Sequence, residues 1–185
     1  MSLFRLVACT LAAAALVSCT HAPAAAPIRL TDDSGSPWAL DAQRGEAVAI
    51  VFGFTHCEDT CPATLAKLTH LAGQLGVQGR EVEIAFVTVD PQRDTPGVLH
   101  RFVGRFSSPP VRVVGLTGTP AQIDAVKNAY HVWAQRVPGM HKGDGYDVAH
   151  SSVIFFVGPS GELRSLHDDD DSDAVLARAL REAAT

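Results

Sequence analysis

Residues 54–65, FTHCEDTCPATL, hold two cysteines, Cys57 and Cys61, four positions apart. If the backbone between them turns even roughly as a helix does, both sulfurs face the same way and can share one ligand. The pair follows an apolar run and precedes Pro62, a residue suited to the first turn of a helix. A strand end that feeds a helix start is the edge where open α/β sheets place ligands, and the helix dipole there favours a thiolate. Three chemistries are open to such a pair. It can close a disulfide, act as a redox couple with Cys57 attacking and Cys61 resolving, or supply half of a soft-metal site for Cu(I), zinc or an iron–sulfur cluster. Two sulfurs fall short of a closed four-coordinate zinc shell, so a metal here needs a further donor. The candidates are His56, His70, His100, His131, His141, His150, His167 and Asp59. His150 is the best placed, because it immediately precedes the apolar run SSVIFFV. Whether it reaches the edge that carries the cysteines depends on strand direction, which periodicity does not fix.

The remaining cysteines bear on the compartment. MSLFR carries one positive charge, LVACTLAAAALV is apolar, and LVSC ends the run at Cys19. That stretch is too short for a membrane span, which takes about 20 residues, but it fits the apolar region of a secretory signal. LVSC resembles the bacterial lipobox, which implies a signal peptide over residues 1–18, removed to leave Cys19 as an acylated first residue. Several acyl chains anchor a protein firmly, since each buried methylene contributes about 0.8 kcal/mol. On this reading Cys9 is removed, Cys19 carries lipid, and only Cys57 and Cys61 stay free for chemistry. Residues 19–27 then form a lipidated tether, and the domain is expected over residues 28–185 in the bacterial cell envelope, facing the periplasm or exterior. A chain of 185 residues with a formal charge of −5 offers no basic surface for nucleic acid.

The elements that must position the cysteines can be read in order. RLTDDSGSPWAL predicts a hairpin with Trp38 packed inside, AVAIVFGF (47–54) a buried strand, and residues 62–75 a helix with Leu65, Leu68, Leu71 and Leu75 on one face. Residues 82–89 and 111–116 predict further buried strands, and 95–106 and 120–132 helices. SVIFFVGPSGELRSL predicts two strands about a turn, followed by a last helix over 172–184. Residues 135–149 are expected to form one long loop. Strands that alternate with helices imply an α/β fold with mostly parallel central pairing and antiparallel edge strands.

Three ordered motifs, FTHCEDTCPATL, VTVDPQRDTP and YDVAHSSVIFFVGPSG, closely resemble the Sco/SenC family, copper-binding members of the thioredoxin superfamily that help assemble cytochrome c oxidase. The resemblance runs from about Ile28 to the C-terminus. It implies a thioredoxin-like fold with a central mixed sheet, flanking helices and an N-terminal hairpin extension, and one copper ion, Cu(I) or Cu(II), held by Cys57, Cys61 and His150. The implied function is a membrane-tethered copper chaperone for the dinuclear copper centre of cytochrome c oxidase, with the oxidase's copper-bearing subunit or another copper chaperone as partner. The alternative is a thiol–disulfide oxidoreductase acting on the cysteines of an oxidase subunit or another copper protein. The family motif usually has Pro where this chain has Glu58. That departure leaves the ligands intact and adds a carboxylate beside them.

Other residues read more plainly. Asp94 is expected to cap the helix that follows it and Pro91 to shape the turn. The run HDDDDSD (167–173) is expected to be a solvated lead into the last helix, since consecutive aspartates rarely converge on one cation. His131, Met140 and His141 are expected to be surface and loop residues, and His56 to project away from Cys57.

Overall fold

The structure, a computed structural model, describes residues 22–74, 82–139 and 145–185. The assignments of residues 1–18 as a signal peptide and of Cys19 as lipidated, with Leu75, Met140 and His141, lie outside the described residues. β1 (Arg29–Asp32) and β2 (Pro37–Ala39) form the expected hairpin. β3 (Ala47–Gly53), α1 (Thr60–Gln74), β4 (Val82–Thr88), α2 (Pro96–Val103) and β5 (Val111–Thr117) follow. Then come α3 (Pro120–Ala129), β6 (Ala134–Pro138), β7 (Tyr146–His150), β8 (Val153–Val157), β9 (Leu163–Asp168) and α4 (Asp173–Ala183).

β3 and β4 are buried at every position, which explains why their sequences are near-continuous apolar runs rather than alternating ones. Both pair in parallel, β3 with β4 from Ala47↔Val82 to Gly53↔Thr88 and β4 with β5 from Val82↔Val111. The seven-stranded order is β2-β1-β5-β4-β3-β8-β9, with β8, β9, β1 and β2 antiparallel to their neighbours. Successive β3 residues feed opposite faces. Ala47, Ala49 and Val51 pack with Leu65 and Leu68 of α1, Leu99 of α2 and Leu176 of α4, whereas Val48, Ile50 and Phe52 pack with Ile123 of α3 and Trp38. Burying each such leucine contributes roughly 2 kcal/mol, so α1 is fixed chiefly by this face.

The hairpin extension is tied to the core by a buried polar contact. Glu83 in β4 has no exposure, accepts the Trp38 indole N–H at 2.9 Å and is paired with Arg112. Among the described residues no helix is long and apolar enough to cross a membrane.

One expectation fails. Residues 135–149 are not a single loop: β6 and β7 form an antiparallel two-stranded ribbon, from Ala134↔His150 to Pro138↔Tyr146. The ribbon buries little, with Val148 its one fully buried residue, so its strands lack the apolar periodicity that marks the other strands. Backbone pairing between its own strands holds it, which leaves no hydropathy signal.

Candidate metal centre

The cysteines sit where β3 hands over to α1. After Gly53 and the buried Phe54 the chain turns, with the Cys57 N–H donating to Phe54 O at 3.2 Å, and α1 starts at Thr60. Cys61 therefore lies in the first helical turn and is 3 % exposed, while Cys57 stands half-buried just ahead of it. Both are free thiols. Pro62 falls in the same turn, where its missing N–H costs no hydrogen bond.

The two sulfurs are electrostatically unequal. Cys57 Sγ accepts a hydrogen bond from the Cys61 thiol and from backbone N–H groups at the start of α1, that of Cys61 at 3.4 Å. These donors hold the Cys57 thiol at about 6, well below its ordinary value. Cys61 is pushed up instead, by its hydrogen bond to Cys57, by burial and by the neighbouring thiolate. Near neutral pH the pair carries a Cys57 thiolate and a Cys61 thiol that share one proton.

His150 reaches them because β8 runs antiparallel to β3. The register Val48↔Val157 to Val51↔Ile154 places the beginning of β8 beside the end of β3. His150, just upstream, is thus delivered to the sheet edge that carries the cysteines. Its Nε2 lies 4.0 Å from Cys61 Sγ, and its ring stands edge-on to Phe54, 87° between planes. His150 Nδ1 is 2.9 Å from Ser151 O. A carbonyl can only accept, so Nδ1 carries the proton and the Nε2 lone pair faces the sulfurs.

The spacing fits an ion held between the donors. With about 2.3 Å for a metal–thiolate bond and about 2.0 Å for metal–imidazole, a trigonal angle puts sulfur and nitrogen about 3.7 Å apart, so a closure of about 0.3 Å suffices. Among the described residues no group of three or more His, Cys, Asp and Glu side chains stands close enough, as placed, to hold a metal ion. Cys61 and His150 face each other at 4.0 Å, and a solvent-open cleft of about 430 Å³ beside them is lined by Phe54, His56, Cys57, Arg93, Tyr146 and His150, among others.

The other candidates part company. His70 is with Gln74 on the surface of α1, His100 is paired with Asp33, and His167 with Asp171 at 2.9 Å. His131 is exposed in a left-handed turn after α3, against a different groove. His56 does not project away, because residues 55–56 form a turn rather than an extended segment; its exposed ring lines the rim of the cleft, as do Glu58 and Asp59. Asp94 does not cap α2, whose N-cap is Thr95. It is fully buried and accepts from Thr55 N (3.0 Å), Thr55 Oγ1 (2.5 Å) and Thr88 Oγ1 (2.6 Å), fastening the turn that carries Cys57 to the end of β4. Arg93 and Tyr146, which fall within the motifs VTVDPQRDTP and YDVAHSSVIFFVGPSG but are given no role by the sequence alone, also line the cleft.

The SCO1/SenC family model matches residues 19–185. The chain belongs to the SCO1/SenC family. It is 33% identical over 156 residues to the mouse mitochondrial SCO1 homolog, covering 83% of this chain and 54% of that protein, so it spans about half the length of this relative. Two solved members are similar throughout. Arabidopsis thaliana ScoI with copper bound has a TM-score of 0.77 and 29% identity, covering 85% of this chain and 96% of that one. Bradyrhizobium japonicum ScoI with copper bound gives 0.74 and 30%, covering 87% and 99%. The thioredoxin-like fold of the family is thereby the fold of this chain, with the mixed sheet and hairpin described above.

Proposed function

We propose that this chain is a membrane-tethered copper chaperone that binds one copper ion through Cys57, Cys61 and His150 and delivers it to the dinuclear copper centre of cytochrome c oxidase. The observation that carries the reading is the 4.0 Å approach of His150 Nε2 to Cys61 Sγ, with the Nδ1 proton committed to Ser151 O. The copper-bound state of its solved relatives supports it.

The chemistry follows from the donor set. Two thiolates suit Cu(I), and an imidazole extends the site to Cu(II). Above pH about 6 Cys57 is already ionised, so loading requires one proton to leave Cys61. The shell has three donors and opens on the cleft, so an acceptor's ligands can replace them one at a time. The recipient is the copper-bearing subunit of the oxidase or a second copper chaperone. Acylated Cys19 holds the domain at the membrane of a bacterial cell envelope, facing the periplasm or exterior.

Titrating the reduced full-length protein with Cu(II) tests this reading. One equivalent should produce sulfur-to-Cu(II) charge-transfer absorption that is absent in Cys57→Ser and in Cys61→Ser. His150→Ala should weaken Cu(II) at least tenfold, as loss of a ligand does, while Cu(I) is retained by the thiolates. Titration without a thiolate band, or a His150→Ala protein that binds Cu(II) unchanged, refutes the site.

A second reading, a thiol–disulfide oxidoreductase, is favoured by the low thiol pKa of Cys57 beside a buried, protonated Cys61, the asymmetry of an attacking and a resolving cysteine. It predicts that disulfide exchange and oxidase assembly survive His150→Ala and fail in Cys57→Ser.

A further inference from the structure

Among the described residues the ribbon that delivers His150 belongs to no larger sheet, since β6 and β7 pair there only with each other. Its position over the cysteines is therefore set by contacts other than a sheet ladder. At its base the Ser151 N–H donates to Trp133 O at 2.9 Å. Its other end is held by a compact group of charged and aromatic residues. Arg93, on the loop after β4, donates from Nη1 to Tyr146 O at 2.9 Å and lays its guanidinium 3.9 Å from the centre of the Tyr146 ring. The Tyr146 hydroxyl donates to Asp90, with Oδ1 at 2.9 Å and Oδ2 at 3.0 Å. Arg136 of β6 lies 4.4 Å from the same ring and 3.7 Å from Asp90 Oδ1. Asp90 is 2 % exposed, is paired with Arg93 Nε, and is fixed to the end of β4 by its N–H, which donates to Thr88 Oγ1 at 2.9 Å.

We propose that Asp90, Arg93 and Tyr146 are positioning residues: they latch the β6–β7 ribbon to the end of β4 and so set His150 over Cys57 and Cys61. A buried carboxylate demands partners, and this one obtains them from both strands of the ribbon. Tyr146 lies four residues before His150, about 13 Å along an extended strand, so a small tilt at the latch is carried to the imidazole. Cys61 and His150 need a closure of only about 0.3 Å to bond one ion between them, so displacements of that order decide whether the imidazole ligates. The cysteines depend on α1 and β3 instead. The latch therefore discriminates between the three-donor site and the two-sulfur site, and the copper part of this inference rests on the function proposed above.

Two variants of the full chain test it. Tyr146→Phe keeps the ring between the guanidiniums and removes the proton donated to Asp90; Arg93→Lys keeps the charge and removes the fork and the stacking. In the metal-free protein, amide hydrogen exchange in the ribbon should accelerate about tenfold in either variant, the size expected for losing a hydrogen bond to a charged group, while β3 and β4 exchange as before. Cu(II) affinity should fall about tenfold, within the range seen when residues that orient a ligand are changed, with a shifted thiolate band and a smaller loss for Cu(I). In a His150→Ala background Tyr146→Phe should add no further loss. Unchanged ribbon exchange in both variants overturns the latch, as does an equal Cu(II) loss with and without His150. The exchange arm uses no metal, so failure of the unaltered protein to bind copper would refute the proposed function while exchange still judges the latch.

Discussion

Gly53 closes β3 at the point where the cysteine turn begins, and replacing it by alanine should damage the fold and the site together. A Cβ there would meet Phe86 Cε2 at 2.6 Å, Cys61 Sγ at 2.8 Å and Phe86 Cζ at 2.9 Å. Neither neighbour has room to retreat. Phe86 has no exposure and its ring lies 5.2 Å from that of Phe102, while Cys61 is 3 % exposed. Ordinary contact begins near about 3.5 Å, so Sγ must move by roughly 0.7 Å or the strand must yield. That is about twice the 0.3 Å closure a metal requires between sulfur and imidazole. Overpacking of this kind typically costs about 1–3 kcal/mol, and an unyielding aromatic ring puts Gly53→Ala near 2 kcal/mol, or about thirtyfold in the folded ratio. Urea unfolding at constant m-value reads the stability, and a competition titration reads copper, which should bind at least tenfold more weakly. Gly73→Ala provides the control. It lies in α1 with nothing within 4 Å of a built Cβ, so it should stabilise by roughly 0.5–1 kcal/mol and leave copper unchanged. A Gly53→Ala protein as stable as the parent, with unchanged affinity, would refute the close-packing argument.

The asymmetry of the cysteines should appear in a pH series. Iodoacetamide should modify Cys57 ahead of Cys61 in the metal-free protein, with the rate rising through pH about 6. The folded value for Cys57 lies below the unfolded one, about 8.5, so the unfolded chain binds the extra proton between them, and this contribution to stability is lost as pH falls through about 6. Cys61 has the opposite sign, since its folded value is raised, and its contribution is lost as pH climbs above about 8.5. Denaturant midpoints from pH 5 to 10 should therefore crest near pH about 8.5, and Cys57→Ser should flatten the acid side. Asp94→Ala should cost about 2–4 kcal/mol by urea unfolding, because it strands the Thr55 and Thr88 donors in the interior.

Much of this architecture was legible because burial and periodicity coincide. The β3 and β4 runs are apolar on both faces since both faces are covered, and Leu65, Leu68 and Leu71 fall on the inward side of α1 as their spacing requires. The cysteine pair was equally plain, because residues four positions apart at a helix start share one side, and the Cys61 N–H reaches Cys57 Sγ at 3.4 Å. The ribbon was hidden by the same logic. Its residues are mostly half-exposed, and its ladder is made of backbone groups that every residue carries. Asp94 misled for a related reason: an Asp beside a helix start suggests a cap, and only the tertiary fold reveals three donors waiting on its inner side.

The identity of the third donor turned on strand direction. Seven histidines in residues 28–185 compete on composition alone, and His150 prevails only because β8 runs against β3. Were β8 parallel, its start would lie beside Ala47, six residues and about 20 Å from Gly53, and the imidazole would stand at the opposite edge of the sheet. The direction follows from connectivity. β5 is the last of the parallel strands, and α3 with the ribbon carries the chain back across the sheet to the end of β3 where the cysteines lie. From there β8 can only run back toward the start of β3, and a short turn then suffices for β9 to pair antiparallel with it. The metal centre is thus a consequence of how an antiparallel hairpin is added to a parallel sheet: the segment entering that hairpin must pass the end of β3, and the residue it carries there is His150.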